Sequence, residues 1–232
     1  MFARFDDRRA EADLCGRLAI IFERRGSIDA AAAAYERLAP LRRALGDAAG
    51  ELEALDGLAR LTRQRHATSP LEALPAYAAA LDLAKAIGDR RQQAALHNTM
   101  GILSWQAGRF GDALRHYDEA LDRVRELGDR THEGLILNSV GVTLHRLGRL
   151  DEARTVLEQS VTVNRNSGER LFEAHALTVL GDIWSAADRP DSAITCFERS
   201  RMLREAAGDE AGARAMRTRL VRLRISQPAS TV

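Results

Sequence analysis

Two cysteines, five prolines, two tryptophans and a 5% share of aromatics are little for a chain of 232 residues. Cys15 and Cys196 lie 181 positions apart in apolar, helix-like stretches, which excludes a disulfide framework and predicts two buried free thiols. The few prolines come without long alternating runs of Val and Ile, so an all-β barrel or sandwich is excluded. Long apolar runs are missing too. Residues 30–35 are broken at once by Asp29 and Glu36, and nothing here spans a bilayer. Residues 1–7 lack the apolar stretch of a signal peptide. Neither sign of charge dominates: 34 basic against 33 acidic residues leave +1, so no global field draws the chain to nucleic acid or membrane. Lysine is nearly absent; Lys85 stands alone and arginine carries the rest.

Catalytic patterns are missing as well. His66, His97, His116, His132, His145 and His175 form no His-Glu-x-x-His pair, and neither cysteine sits in a Cys-x-x-Cys site. There is no Gly-x-Ser-x-Gly elbow and no phosphate loop ending in Gly-Lys-Ser/Thr. The expectation is a non-catalytic, mostly helical cytoplasmic protein with no cofactor and no metal site.

What the chain does contain is 45% hydrophobic residues, with alanine making up about 40 positions, and a repeat. Gly46-Asp47, Gly88-Asp89, Gly128-Asp129, Gly168-Glu169 and Gly208-Asp209 recur at spacings of 42, 40, 40 and 40. Glycine can take the left-handed conformation that ends one helix, and the aspartate beside it can cap the next. Glu169 caps less well, so the fourth junction is expected to be the loosest. Between these marks three apolar columns line up at i, i+4, i+7, one face of a helix. They are Leu14, Ala54, Leu96, Ile136, Ala176; then Leu18, Leu58, Met100, Val140, Leu180; then Ile21, Leu61, Leu103, Thr143, Ile183. A small residue follows the second column at Ala19, Ala59, Gly101, Gly141 and Gly181. Turns are expected at Gly26, Gly108, Gly148 and, without glycine, Asp188. The second helices carry Ala31, Ala73, Ala113, Ala153 and Ala193, each followed four positions later by Tyr35, Tyr77, Tyr117, Leu157 or Phe197. Small then large at a fixed phase is what two closely crossing helices need.

The pattern in Met100-Gly101, Gly108-Arg109-Phe110, Ala113 and Tyr117-Asp118-Glu119-Ala120 resembles the tetratricopeptide repeat, in a 40-residue variety with a Gly-Asp junction. Arg125 and Arg165 stand where the family's closing proline often lies. The resemblance implies an all-α fold: a right-handed α-solenoid of about five helix-turn-helix repeats plus a C-terminal capping helix. The expected organisation is one domain over residues 1–225. Its repeats cover residues 7–45, 46–87, 88–127, 128–167 and 168–207, with a cap helix over 209–225 and a flexible tail over 226–232.

The second repeat carries a two-residue insertion within residues 63–69. Ser69-Pro70-Leu71-Glu72 after it reads as a capping box with proline at the first helical position. Pro75, one turn on, is expected to cost a hydrogen bond and bend the helix. At the C-terminus Met216, Leu220 and Leu223 continue the three columns, while Arg214, Arg217, Arg219, Arg222 and Arg224 lie on other faces. That helix reads as a solvating cap rather than a phosphate-binding element. At the N-terminus the repeat places Asp6-Asp7 where Gly-Asp would stand, with residues 1–5 as the last turn of a preceding second helix. Phe2 and Phe5 then either fold back as a cap or mark the end of a longer array.

In the resembling family, partner segments lie against the first helices of the repeats. By register those positions are Asn98, Ile102, Trp105 and Gln106; Leu135, Asn138, Val142, His145 and Arg146; Asp56, Arg60, Arg63 and Gln64; and His175, Thr178, Asp182 and Ser185. Asn98 and Asn138 occupy one register position, and an amide there can hold a peptide backbone or bond a neighbouring helix. Trp105 on a polar concave surface reads as an anchor, and Trp184 as core. No lysine occupies a groove position, which speaks against a lysine-based carboxylate clamp. The function expected is non-catalytic binding of a protein segment or peptide in the groove. The alternative is a sensor domain of a bacterial transcriptional regulator or signalling ATPase, binding an effector or its own parent protein. Self-association through the N-terminal end is a further expectation.

Overall fold

The computed structural model describes residues 2–226, with side chains over residues 7–225, and among these there is no β-strand. The chain forms α1 (Phe2–Arg24), α2 (Ile28–Ala44), α3 (Ala48–Arg65), a 3-10 turn (Pro70–Ala73), α4 (Leu74–Ala86), α5 (Arg90–Gln106) and α6 (Phe110–Glu126). It continues through α7 (Arg130–Arg146), α8 (Leu150–Ser167), α9 (Arg170–Ala186), α10 (Pro190–Ala206) and α11 (Glu210–Ser226). This is an all-α solenoid architecture of helix-turn-helix repeats. Two compact units divide after Arg123, within α6.

Helix ends follow from the punctuation. Gly26, Gly46, Gly88, Gly108, Gly128, Gly148, Gly168 and Gly208 all have φ between 66° and 77°, and among the other described residues Asp188 alone is left-handed, at φ 55°. Asp47, Asp89, Asp129 and Asp209 each accept a bond from the backbone N–H three residues on, at 2.9, 3.0, 3.2 and 2.9 Å. Glu169 makes no side-chain cap, although its backbone angles match those of Asp47, Asp89 and Asp129. Its longer side chain overshoots the amide that an aspartate reaches.

In the first unit the core gathers Ala31, Tyr35, Leu38 and Ala54 in one cluster and Ala59, Tyr77, Leu96 and Leu103 in another. Tyr117 lies over Gly101, where an added Cβ would sit 2.5 Å from the ring. In the second unit Leu157 lies over Gly141 in the same way, and Phe197 over Gly181. The small-large crossing is therefore physical contact, and each large residue is almost wholly buried.

Six expectations change. Leu14 and Ile21 are 57% and 43% exposed, not core. Their register partners Leu96 and Leu103 pack on the preceding helix pair, whereas no described helix pair precedes α1; α1 packs instead through Ala12, Cys15 and Ala19. The turn expected at Asp6-Asp7 is absent, because without a glycine to take positive φ the helix runs on from Phe2. Ser69 makes no side-chain cap; Glu72 pairs with His66 at 2.5 Å instead of reaching back. The irregularity expected at Pro75 takes another form. The chain makes a 3-10 turn and restarts, so Pro75 stands in the first turn of α4, where its missing N–H costs nothing. Both cysteines are free, Cys15 buried and Cys196 half-buried. Trp184 is half-buried, with the Arg154 guanidinium 5.2 Å over its ring. The side chains of Phe2 and Phe5 and the tail beyond Ser226 lie outside the described residues.

At the C-terminal end Met216 and Leu220 are buried on α11 and Leu223 half-buried. Arg217, Arg219 and Arg224 pair with Glu205, Asp182 and Glu198. These three arginines of α11 thus complete acidic sites of earlier helices.

Candidate functional site

In the first unit the outward stripe of α5 carries Asn98, Ile102, Trp105 and Gln106 at i, i+4, i+7 and i+8, one helix face. Asn98, Ile102 and Trp105 are half-buried and Gln106 is exposed. The Trp105 indole meets the Phe110 ring edge-on, with centroids 6.1 Å apart. It is therefore braced by the start of α6 and held at one orientation. The buried Oδ1 of Asn98 has no hydrogen-bond partner among the described residues.

On α3, Arg60 and Arg63 are exposed. Arg60 bridges Glu23 of α1 at 3.3 Å and Asp56 at 3.4 Å, while Tyr35 donates its hydroxyl to Glu23 at 3.3 Å. Burial opposes the charge on Arg60, but Glu23 and Asp56 outweigh it and hold its pKa above the usual value. Burial also raises Asp56, against the pull of Arg60. Tyr35 is raised by burial and then by Glu23. Glu23 and Tyr35 were not among the sequence candidates. Glu23 shares the register position of Arg63 and Trp105, so the signal was present in the alignment of the repeats.

In the second unit Asn138 is 5% exposed. Its Nδ2 donates to Phe172 O of α9 at 3.3 Å, and its Oδ1 stands 3.1 Å from His175 Nδ1. Of its two sequence readings, the bond to a neighbouring helix is what forms. Burial, then Arg204, lowers His175 from its ordinary pKa. Val142 and His145 are half-buried and Arg146 is exposed. Asp182 is taken by Arg219 at 3.1 and 3.4 Å.

A second set of buried acids escaped the sequence reading. Glu51, Glu133 and Glu173 are buried at one register position. Each meets an arginine from the end of the preceding helix: Arg43–Glu51 at 2.5 Å, Arg125–Glu133 at 2.9 Å and Arg165–Glu173 at 3.0 Å. Arg125 and Arg165 are the residues that replace the closing proline. At the α4–α5 junction the pair is missing, and Gln93 donates to Ala84 O instead, at 3.0 Å.

Among the described residues no three His, Cys, Asp or Glu come together as a metal site, and no helix is long and apolar enough to cross a membrane. Burial pushes the Cys196 thiol up to about 11, far from a reactive thiolate.

The tetratricopeptide repeat model matches residues 65–126 and 132–206, more than half of the chain. No curated protein sequence matches it. Among solved structures, BtubC (BKLC) from P. vanneervenii is similar at 21% identity, covering 88% of this chain and 91% of its own, with a TM-score of 0.59. The apo form of RapI is similar at 12% identity, 93% and 83% coverage and a TM-score of 0.66. Pseudomonas aeruginosa pilF is similar at 15% identity, 95% coverage of both chains and a TM-score of 0.61. At these identities the likeness is one of fold. The helix pairs, their crossings and the matching family model agree, and the chain belongs to the tetratricopeptide repeat family.

Proposed function

We propose that this chain is a non-catalytic recognition module that binds an extended protein segment along its first helices. A family whose fold generally serves as a non-catalytic interaction scaffold supports the class of function. The observation that carries the finer reading is the α5 stripe. Trp105 is braced on Phe110 and flanked by half-buried Ile102 and exposed Gln106, so an apolar anchor lies ready beside hydrogen-bonding groups. A rigid, partly exposed indole loses little entropy on binding and contributes a large contact area. Arg63 on α3, and Val142, His145 and Arg146 on α7, extend the reading within their own units. Asn138 and Asp182 serve better as positioning groups, since their polar atoms already hold α9 and α11.

Panning the chain against a library of displayed peptides tests the proposal. A shared peptide sequence is expected, with at least tenfold weaker binding to Trp105→Ala and unchanged binding to Val221→Ala, whose side chain is exposed on α11. No enriched sequence, or equal binding by Trp105→Ala, overturns it. A second mode rests on α1, where Leu14, Ile20 and Ile21 are 57%, 46% and 43% exposed. That apolar side supports self-association, and sedimentation at two concentrations tests it: a monomer at the higher one removes this mode.

A further inference from the structure

Two imidazoles join α5 to α6. His97 on α5 is 5% exposed and His116 on α6 is half-buried. Their Nδ1 atoms stand 3.3 Å apart, with the rings tilted by 41°. At that separation the contact is attractive only when one Nδ1 carries a proton and the other is bare. The buried Nε2 of His97 has no hydrogen-bond partner among the described residues. A proton on it would be an unsatisfied buried donor, so His97 carries its proton on Nδ1 and donates to His116. His116 then keeps its own proton on Nε2. A proton added to His97 would sit on that orphaned Nε2. One added to His116 would sit on its Nδ1, facing the His97 N–H unless His97 moved its own proton to the same Nε2. Only the pair of neutral rings avoids that cost.

The surroundings do not welcome a cation. Lys85 of α4 and Arg115 and Arg123 of α6 add positive charge, and the nearby acids Asp112 and Glu119 face the pair from α6. Both acids are already occupied: Glu119 by Arg123 at 2.9 Å, Asp112 by Arg109 and Arg115 at 2.6 and 3.0 Å. The same Nδ1 separation would suit two ligands of one metal ion. That reading fails here, because no third ligand is near among the described residues, and a metal-bound histidine needs a partner for its far N–H, which His97 lacks.

We propose that His97 and His116 form a proton-operated catch, pinning α5 to α6 while both are neutral and loosening the pair in mildly acidic conditions. The helix released is the one that carries Asn98, Ile102 and Trp105, but the catch stands whether or not that face binds a peptide. Burial, joined by His116, pushes His97 down to about 4, and burial with Arg115 lowers His116. A base with a depressed folded pKa stabilises fully above its unfolded value of about 6.5, and loses that contribution as the pH falls towards the folded value. For His97 the closed-to-open ratio of this helix pair falls about 20-fold between pH 7 and pH 5.

Amide hydrogen exchange on the full chain at pH 7 and pH 5, corrected for the intrinsic chemical rate, reads opening of α5 and α6. NMR titration of the imidazoles reads their protonation. Protection in α5 and α6 is expected to fall about tenfold or more in the wild type, with His97 titrating below about pH 5. The double variant His97→Asn/His116→Asn is expected to hold its protection to within about threefold. His97→Gln, which removes the more deeply buried ring alone, serves if the double variant does not fold, and the same flattening is expected. Two histidines titrating between about pH 6 and 7, or equal loss in wild type and variant, overturns the catch.

Discussion

The two units use one backbone register and secure it with different chemistry. In the second unit, hydroxyls and an amide on the second helices reach into the first. Ser160 donates to Gly134 O at 3.1 Å, Asn164 donates to the same carbonyl at 3.2 Å, and Ser200 donates to Ala174 O at 2.8 Å. Thr178 joins Ser200 at 2.9 Å. In the first unit the positions equivalent to the serines are Leu38, Ala80 and Ala120, all buried and apolar. There the polar atoms come from large residues: the Tyr35 hydroxyl reaches Glu23, and His97 meets His116. The large residue itself changes accordingly, tyrosine in the first unit and Leu157 or Phe197 in the second. A small-large crossing is thus the shared element, and each unit adds its own polar bonds to it.

The largest expected effect asks whether the crossing or the added bonds hold the helices. Phe197→Ala in the second unit and Tyr77→Ala in the first each empty a nearly wholly buried site. Each is expected to cost about 3–5 kcal/mol, and the two to agree within about 1 kcal/mol. Hydrogen exchange resolved by helix, alongside urea unfolding, measures both. A markedly smaller loss for Phe197→Ala would show that the serine bonds, rather than ring packing, carry the second unit.

A transplant sharpens the same question at smaller scale. Ser200→Ala removes bonds to Ala174 O and Thr178 at a buried site, and is expected to cost about 1–2 kcal/mol in urea unfolding. Ala120→Ser puts a hydroxyl at the equivalent place in the first unit, 26 residues after Ala94 as Ser200 stands 26 after Ala174. Because a carbonyl of the first helix is in reach at this register, the change is expected to stay within about 0.5 kcal/mol of neutral. A loss as large as that of Ser200→Ala would mean that the first unit's crossing is too close for an added oxygen.

The repeat, its helix pairs and the small-large columns were legible in the residues because each depends on local spacing. Eight glycine turns and four aspartate caps follow from single residues whose backbone or side chain has few alternatives. What escaped depends on neighbours that periodicity does not name. Leu14 fits its column, yet a column position is buried only where another helix pair covers it. Asn138 looked like a groove amide, and only the place of Phe172 O and His175 shows that it serves α9. The burial of Glu51, Glu133 and Glu173 makes sense only once the arginine eight residues before each is placed beside it. Of those arginines, Arg125 and Arg165 stand out in the sequence only as departures from a closing proline, and Arg43 not at all.

Junction α8–α9 gives a smaller test within the second unit. Asp129 and Asp209 cap their helices and Glu169 does not, although its backbone angles nearly match those of Asp129. Glu169→Asp is expected to raise stability by about 0.5–1 kcal/mol by supplying the bond to the amide three residues on. The reverse change, Asp129→Glu, should cost a similar amount. Equal melting temperatures for all three proteins would show that the glycine turn alone sets these junctions.

The smallest effect concerns the one described left-handed turn position that is not glycine. Asp188 ends α9 at φ 55°, where Gly148 ends α7 at φ 74°. A side chain in the left-handed region costs about 1–2 kcal/mol, and aspartate lowers that cost through local hydrogen bonding. Glycine removes the strain but frees the unfolded chain, which takes back part of the gain. Asp188→Gly is therefore expected to stabilise by about 0.5 kcal/mol, and Gly148→Asp to destabilise by a similar amount, both read from melting temperature. Stability lost on Asp188→Gly would mean that the aspartate carboxylate holds the α9–α10 turn by a bond worth more than the strain it relieves.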